Sequence, residues 1–223
     1  MSLGQLTSFP FFKIKSKLPR QAIRNDWGER NQILGEDVNL FCWRRPPDSA
    51  IQNYLIKALS KSPNPIKIAV DKTNLLRQLD SAQAVWGNAG EAGGPAFWID
   101  VFRLVHDFLD FSPNRTGTVH LRVVENDACK KFHTDGYALR LFTTYLGKGT
   151  EWLTEKDTNR LGLGKSNKMI VKDHAQIRKM EPFEVGILKG EPPGSPSKVK
   201  GIVHRSPEIT SNGEKRIILR VDI

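Results

Sequence analysis

Hydrophobic and polar positions follow two rhythms along the chain, and the change comes near residue 113. Between Ala50 and Leu109, apolar side chains recur every three or four residues. Ile51, Tyr54, Leu55 and Leu59 share one face of a helix over Ala50–Leu59, with Asp48 or Ser49 placed to cap it. A second helix is predicted from Asp71 to about Ala84. A third is predicted from Ala96 to about Leu109, with Phe97, Trp98, Val101, Leu104, Val105 and Phe108 as its apolar stripe. That stripe reads as core packing. His106 lies off it, beside Asp107 and Asp110, and reads as a surface residue. Two short strands, Asn39–Trp43 and Pro65–Val70, stand among these helices. The rest of residues 1–48 reads as irregular, broken by Pro10, Pro19, Pro46 and Pro47. Four glycines between Gly87 and Gly94 mark a loop.

After a turn at Pro113–Gly117 the pattern changes to period two. In Thr118–Val124, Val119, Leu121 and Val123 face one way, while His120 and Arg122 face the other. Leu139–Leu146, Lys168–Val171, Phe183–Leu188, Lys200–His204 and Arg216–Val221 read as further short strands. Strands separated by turn residues suggest a mainly β sandwich or jelly roll, with an N-terminal helical layer packed on one outer face. We therefore expect one domain over residues 1–223. Residues 1–112 would form the irregular and helical layer, and residues 113–223 the jelly-roll core.

Bulk properties narrow the class. The chain has 223 residues, 39% of them hydrophobic and 26% charged, as in ordinary globular proteins. No apolar run is long enough for a membrane span, and the first seventeen residues lack the apolar core and cleavage site of a secretory signal. Cys42 and Cys129 are far apart and form no metal-binding pair, which points to the cytoplasm rather than to a disulfide framework. The formal net charge is +10, and residues 160–222 hold 13 Lys and Arg against 7 Asp and Glu. A basic stretch suits an acidic partner such as nucleic acid, although charge alone favours a solvated face.

The candidate chemistry centres on His133-Thr134-Asp135. Residues two apart in a strand point to the same side, so this imidazole and carboxylate can share one metal ion. His204, in Gly201–Pro207, is the best third ligand. Two His and one carboxylate on one face leave the opposite coordination positions open, which suits a non-haem Fe(II) oxygenase. Gly162–Ser166 resembles a phosphate loop but lacks the glycine that motif requires, and reads as a flexible loop.

The sequence from His133 to Gly147 resembles the Fe(II)/2-oxoglutarate-dependent dioxygenases, in particular their prolyl-hydroxylase-like branch. That family has an HxD motif, a following R-x-x-T-x-x-x-YLN strand, a distal His, and then a Gly-x-Arg strand. Here Arg140–Gly147 follows the HxD, His204 comes 71 residues after His133, and Arg216 follows 12 residues later. The Thr-to-Tyr spacing is shorter than in the family, and one extra residue separates Gly213 from Arg216. The resemblance covers residues 118–223 and implies a double-stranded β-helix (jelly roll). It also implies Fe(II) and 2-oxoglutarate as cofactors, with His133, Asp135 and His204 as metal ligands. Arg216 would hold the distal carboxylate of 2-oxoglutarate, assisted by Tyr145. Arg220 shares a strand face with Arg216 and either points inward with it or meets solvent. Arg140 matches the family pattern without a clear role. Arg205 should be structural, and His174 is a candidate for support behind the ligands. The whole chain also resembles a bacterial family described only as a domain of unknown function.

These readings lead to an oxygenase that hydroxylates a protein or small-molecule substrate. Two alternatives stay open: a non-catalytic metal-binding accessory protein, for instance in metal homeostasis, and a nucleic-acid-modifying dioxygenase. The sequence shows no clear aromatic clamp for a flipped base, which places nucleic acid behind the other substrates. The long segment from Gly147 to about His174 is expected to cover the site mouth as a mobile, mildly basic lid.

Overall fold

The computed structural model describes residues 18–87, 90–127, 129–194 and 199–223. Among these residues ten strands form two sheets. The larger has seven strands in the order β1-β2-β8-β5-β10-β4-β3, and the smaller has three in the order β7-β6-β9. In chain order the strands are β1 (Arg20–Arg24), β2 (Val38–Trp43), β3 (Ile66–Asp71), β4 (Thr116–Val124), β5 (Leu139–Leu146), β6 (Glu151–Leu153), β7 (Arg178–Lys179), β8 (Val185–Lys189), β9 (Val203–Arg205) and β10 (Arg216–Asp222). The α-helices are α1 (Ser49–Ser60), α2 (Leu75–Trp86), α3 (Gly94–Phe108) and the single turn α4 (Asn167–Ile170).

Helices α1 to α3 cover one face of the large sheet. Their start points follow from local chemistry. Asp48 caps α1, its carboxylate accepting from the backbone N–H groups of Ala50 and Ile51 at 2.8 and 3.0 Å. Helix α2 begins at Leu75, later than expected from Asp71. The Asp71 carboxylate instead accepts from the Asn74 N–H and from the Gln78 amide, closing a turn before the helix. Gly93 precedes α3 at φ 89°, and a Cβ there would lie 2.2 Å from the Ala50 carbonyl oxygen, so only glycine fits. Phe97, Val101, Leu104, Val105 and Phe108 of α3 are fully buried against the sheet. Each such side chain contributes about 1.5–3 kcal/mol through burial.

Period-two alternation divides the sheet residues between two environments. On β5, Leu139, Leu141 and Tyr145 join the helical core, while Phe142 faces the small sheet. On β10, Ile217, Leu219 and Val221 join the helical core, which leaves Arg216, Ile218, Arg220 and Asp222 on the inner face. The small sheet packs onto that inner face through Trp152, Met180 and Ile202, which meet Leu40, Cys42 and Leu188.

Several elements depart from the sequence reading. Residues 20–34, expected to be irregular, contain β1, parallel to β2, and a 3-10 helix over Trp27–Leu34. Lys168–Val171 was expected as a strand, but Lys168–Ile170 lie in α4 and only Val171 is extended, bridging Thr158. Ile170 and Val171 are still buried, and a four-residue apolar run does not distinguish the two conformations. The proposed lid contains β6, the central strand of the small sheet, so its first part is framework rather than cover. Pro10 and the absence of a secretory signal concern residues 1–17, which lie outside the described residues, as do residues 88 and 89 of the glycine-rich loop. No helix among the described residues is long and apolar enough to cross a membrane.

Candidate metal centre

His133 and His204 come together because their segments pair. Each backbone N–H donates to the other residue's carbonyl at 3.0 Å, an isolated antiparallel bridge that extends the small sheet beyond β9. Their ring centroids lie 4.7 Å apart. Asp135 follows two residues after His133. Among the described residues, His133, Asp135 and His204 form a group whose ligand atoms all lie within 4.8 Å of one another. His204 Nε2 stands 3.4 Å from Asp135 Oδ2, and His133 Nε2 stands 3.8 Å from Asp135 Oδ1.

The surroundings orient these donors. Nδ1 of His133 is 2.8 Å from the Lys131 carbonyl oxygen, and Nδ1 of His204 is 3.2 Å from that of Ile202. With the ring proton held on Nδ1 by these carbonyls, each Nε2 lone pair faces the cluster. Burial pushes the His204 imidazolium down to about 4, against the opposing pull of the Asp135 carboxylate, so the ring is neutral at pH 7. Arg140, buried on β5, donates through Nη1 to Asp135 Oδ1. Its Nε donates to Asp222 Oδ1 at 2.5 Å. Asp135 Oδ2 is left buried with no hydrogen-bond partner among the described residues. A buried carboxylate oxygen without a donor, facing two imidazole Nε2 atoms, is the arrangement a divalent cation would satisfy.

Arg216 opens β10 on the same inner face and is 1% exposed. Its Nη2 donates to Thr144 Oγ1 at 3.1 Å, while its Nε has no partner among the described residues. Burial, together with the nearby charge of Arg122, brings its guanidinium down to about 10, so it remains a cation at neutral pH. Arg220 also points inward. Its Nη2 lies 2.9 Å from His120 Nε2 and its Nε lies 3.1 Å from Asp222 Oδ2.

The structure does not bring Tyr145 to this group. Tyr145 is fully buried in the helical core, donates its hydroxyl to Asp100 on α3 at 2.7 Å, and packs edge-on against Phe97 and Phe183. The cause is register. Arg140, Phe142 and Thr144 occupy one face of β5, so Tyr145 must occupy the other. His174 is exposed on a 3-10 turn and supports no ligand. Arg205 is structural as expected, pairing with Glu151 at 2.7 Å and stacking on Phe132. Thr144, Asp222, His120 and Arg122 were not singled out as site residues from sequence. The alternation in β4 already put His120 and Arg122 on one face, but it did not show that β10 would lie beside them.

A family model described as "Protein of unknown function (DUF1826)" matches residues 26–222. No curated protein matches the chain at a significant level. Among solved structures, a dioxygenase for auxin oxidation from rice is similar at 11% identity, with a TM-score of 0.54 over 92% of this chain and 82% of that chain. A dioxygenase for auxin oxidation from Arabidopsis thaliana, solved as a binary complex with 2-oxoglutarate, is similar at 9% identity, with a TM-score of 0.50 over 92% of each chain. At these identities the likeness shows a shared fold.

Proposed function

We propose that this chain, which belongs to the DUF1826 family, is an Fe(II)/2-oxoglutarate-dependent oxygenase. In this reading it is one domain whose residues 113–223 form a double-stranded β-helix core. One observation carries the reading: two imidazole nitrogens and an unpartnered carboxylate oxygen converge beside a buried, incompletely paired arginine. The first set has the ligand chemistry of iron, and the arginine has that of a carboxylate.

In this proposal His133, Asp135 and His204 hold the metal. Bound iron with 2-oxoglutarate supplies the oxidising chemistry that hydroxylates a C–H bond at the expense of O2. The protein's residues supply positioning. The carbonyls of Lys131 and Ile202 fix both imidazole tautomers. Arg140 holds one oxygen of Asp135 and leaves the other free for the metal. Arg216 and the Thr144 hydroxyl would receive the distal carboxylate of 2-oxoglutarate, a pairing that also neutralises a buried charge. Arg220 shares the face, but Asp222 and His120 already engage it, so it serves the framework rather than the cosubstrate.

The test is titration of the anaerobic Fe(II) protein with 2-oxoglutarate, followed by visible absorption. A weak metal-to-ligand band should appear, and Asp135→Ala should lose both iron and band while keeping the fold. Iron binding without any band or 2-oxoglutarate affinity would favour a non-catalytic metal-binding protein instead.

A further inference from the structure

The inner face of the large sheet is unevenly covered. The apolar contacts of the small sheet reach β2, β8 and β5. Over β10 and β4 the inner face carries, among the described residues, a small apolar cluster of Val124, Ile209 and Ile218 with Phe142 against it. Beside that cluster the face is strongly cationic. Arg122, Arg140, Arg216 and Arg220 lie there, with Asp135 and Asp222 as their buried carboxylates. Asp135 and Asp222 both pair with Arg140, and Asp222 also serves Arg220.

Arg122 is the residue left over. It stands opposite Ile218 of β10, on the same face as His120, and is partly buried. Its side chain has no hydrogen-bond or ion-pair partner among the described residues. In the register of β4 and β10 it stands between Arg216 and Arg220, the same-face neighbours of Ile218 on either side. An unpaired surface arginine is ordinary. A half-buried one beside two other guanidinium groups is costly unless an anion joins them. Arg216 lies deeper and already has the Thr144 hydroxyl beside it, so a single cosubstrate carboxylate can satisfy Arg216.

We propose that Arg122 anchors the carboxylate of the substrate to be oxidised, forming a second anion subsite distinct from that of the cosubstrate. One free guanidinium balances one negative charge and pairs bidentately with a planar carboxylate. The Val124–Ile209–Ile218 cluster would take the apolar part of the same molecule. This inference rests on the oxygenase reading, because it needs a cosubstrate at Arg216 and a metal at the His-Asp-His group.

The experiment uses the full chain loaded with Mn(II) and saturated with 2-oxoglutarate. Proton resonances of acetate, phenylacetate and decanoate, and of their neutral amides, are monitored for paramagnetic broadening. At least one carboxylate should be broadened while its amide is not. Arg122→Gln should weaken that carboxylate about tenfold, as expected for loss of one charge-assisted pair. Arg122→Lys should restore part of it, and the broadening of 2-oxoglutarate itself should persist in both variants, which also shows that they fold. Equal behaviour of acids and amides, no broadening of any carboxylate, or unchanged binding in Arg122→Gln would overturn the subsite. Loss of 2-oxoglutarate broadening in Arg122→Gln would assign Arg122 to the cosubstrate and overturn it too. Absence of Mn(II)-dependent broadening of 2-oxoglutarate in the native protein would overturn the oxygenase reading and this proposal with it.

Discussion

Replacing Arg216 by methionine should make the ligand-free protein more stable and the cosubstrate-binding function worse. The side chain is 1% exposed, and its guanidinium is brought well below its ordinary value, down to about 10, first by burial and then by Arg122. The depressed value means that folding disfavours the charged form, and that cost is fully present at pH 7. A shift of this size corresponds to about 3 kcal/mol. Methionine keeps the aliphatic stem and removes the charge. The space left at the head group costs about 1 kcal/mol, leaving a gain of about 2 kcal/mol. Unfolding entropy for a chain of 223 residues is about 0.5 kcal/mol/K, so the melting temperature should rise by about 4 °C. Calorimetry on the metal-loaded, cosubstrate-free protein measures this. Adding 2-oxoglutarate at about 100 times its dissociation constant should stabilise the native protein by about 2.7 kcal/mol and leave Arg216→Met unmoved. A variant that melts below the native protein without ligand would show that the fold compensates the charge. A variant that still shifts with 2-oxoglutarate would remove Arg216 from the cosubstrate site.

Other expectations follow from neighbouring geometry. Tyr145→Phe removes a buried hydrogen bond to Asp100 and should cost about 1–3 kcal/mol in denaturant unfolding, with the 2-oxoglutarate absorption band unchanged. A Cβ at Gly190 would lie 2.5 Å from the Asp135 carbonyl oxygen and 2.2 Å from that of Tyr137, so Gly190→Ala should displace the HxD segment and weaken metal binding in equilibrium dialysis. Burial, with Glu184 beside it, pushes the Cys42 thiol up to about 12, while Cys129 is exposed. A thiol reagent at pH 8 should therefore label only Cys129 in the native protein, with Cys42 reacting after unfolding. The raised Cys42 value also contributes stability that is complete below pH 9 and is lost as pH rises towards 12, so Cys42→Ala should flatten alkaline destabilisation in that window.

Local chemistry made several of these features legible in the sequence. The capping of α1 by Asp48, the stripe of α3, the alternation of β4 and β5 and the two-residue spacing of His133 and Asp135 all depend on neighbours within a few positions. Alternation within a single strand also put Arg216 and Arg220 on one face, while the inward direction of Arg216 came from the family resemblance. Sequence further singled out His204 as the third ligand at a distance of 71 residues, a choice the family resemblance supported. Other features needed the tertiary structure. Period two fixes which residues of a strand share a face, but not which strand lies beside it or what covers that face. Only the insertion of β10 between β5 and β4 places Arg140, Arg216 and Arg122 on one surface, and only the bridge between residues 133 and 204 brings the two imidazoles together. The same limit explains the misplacement of Tyr145, whose residue type matched the family while its register sent it into the helical core. It also explains the missed β6, because Glu151–Leu153 carries too little local preference to form a strand until β7 and β9 supply its hydrogen bonds from distant parts of the chain.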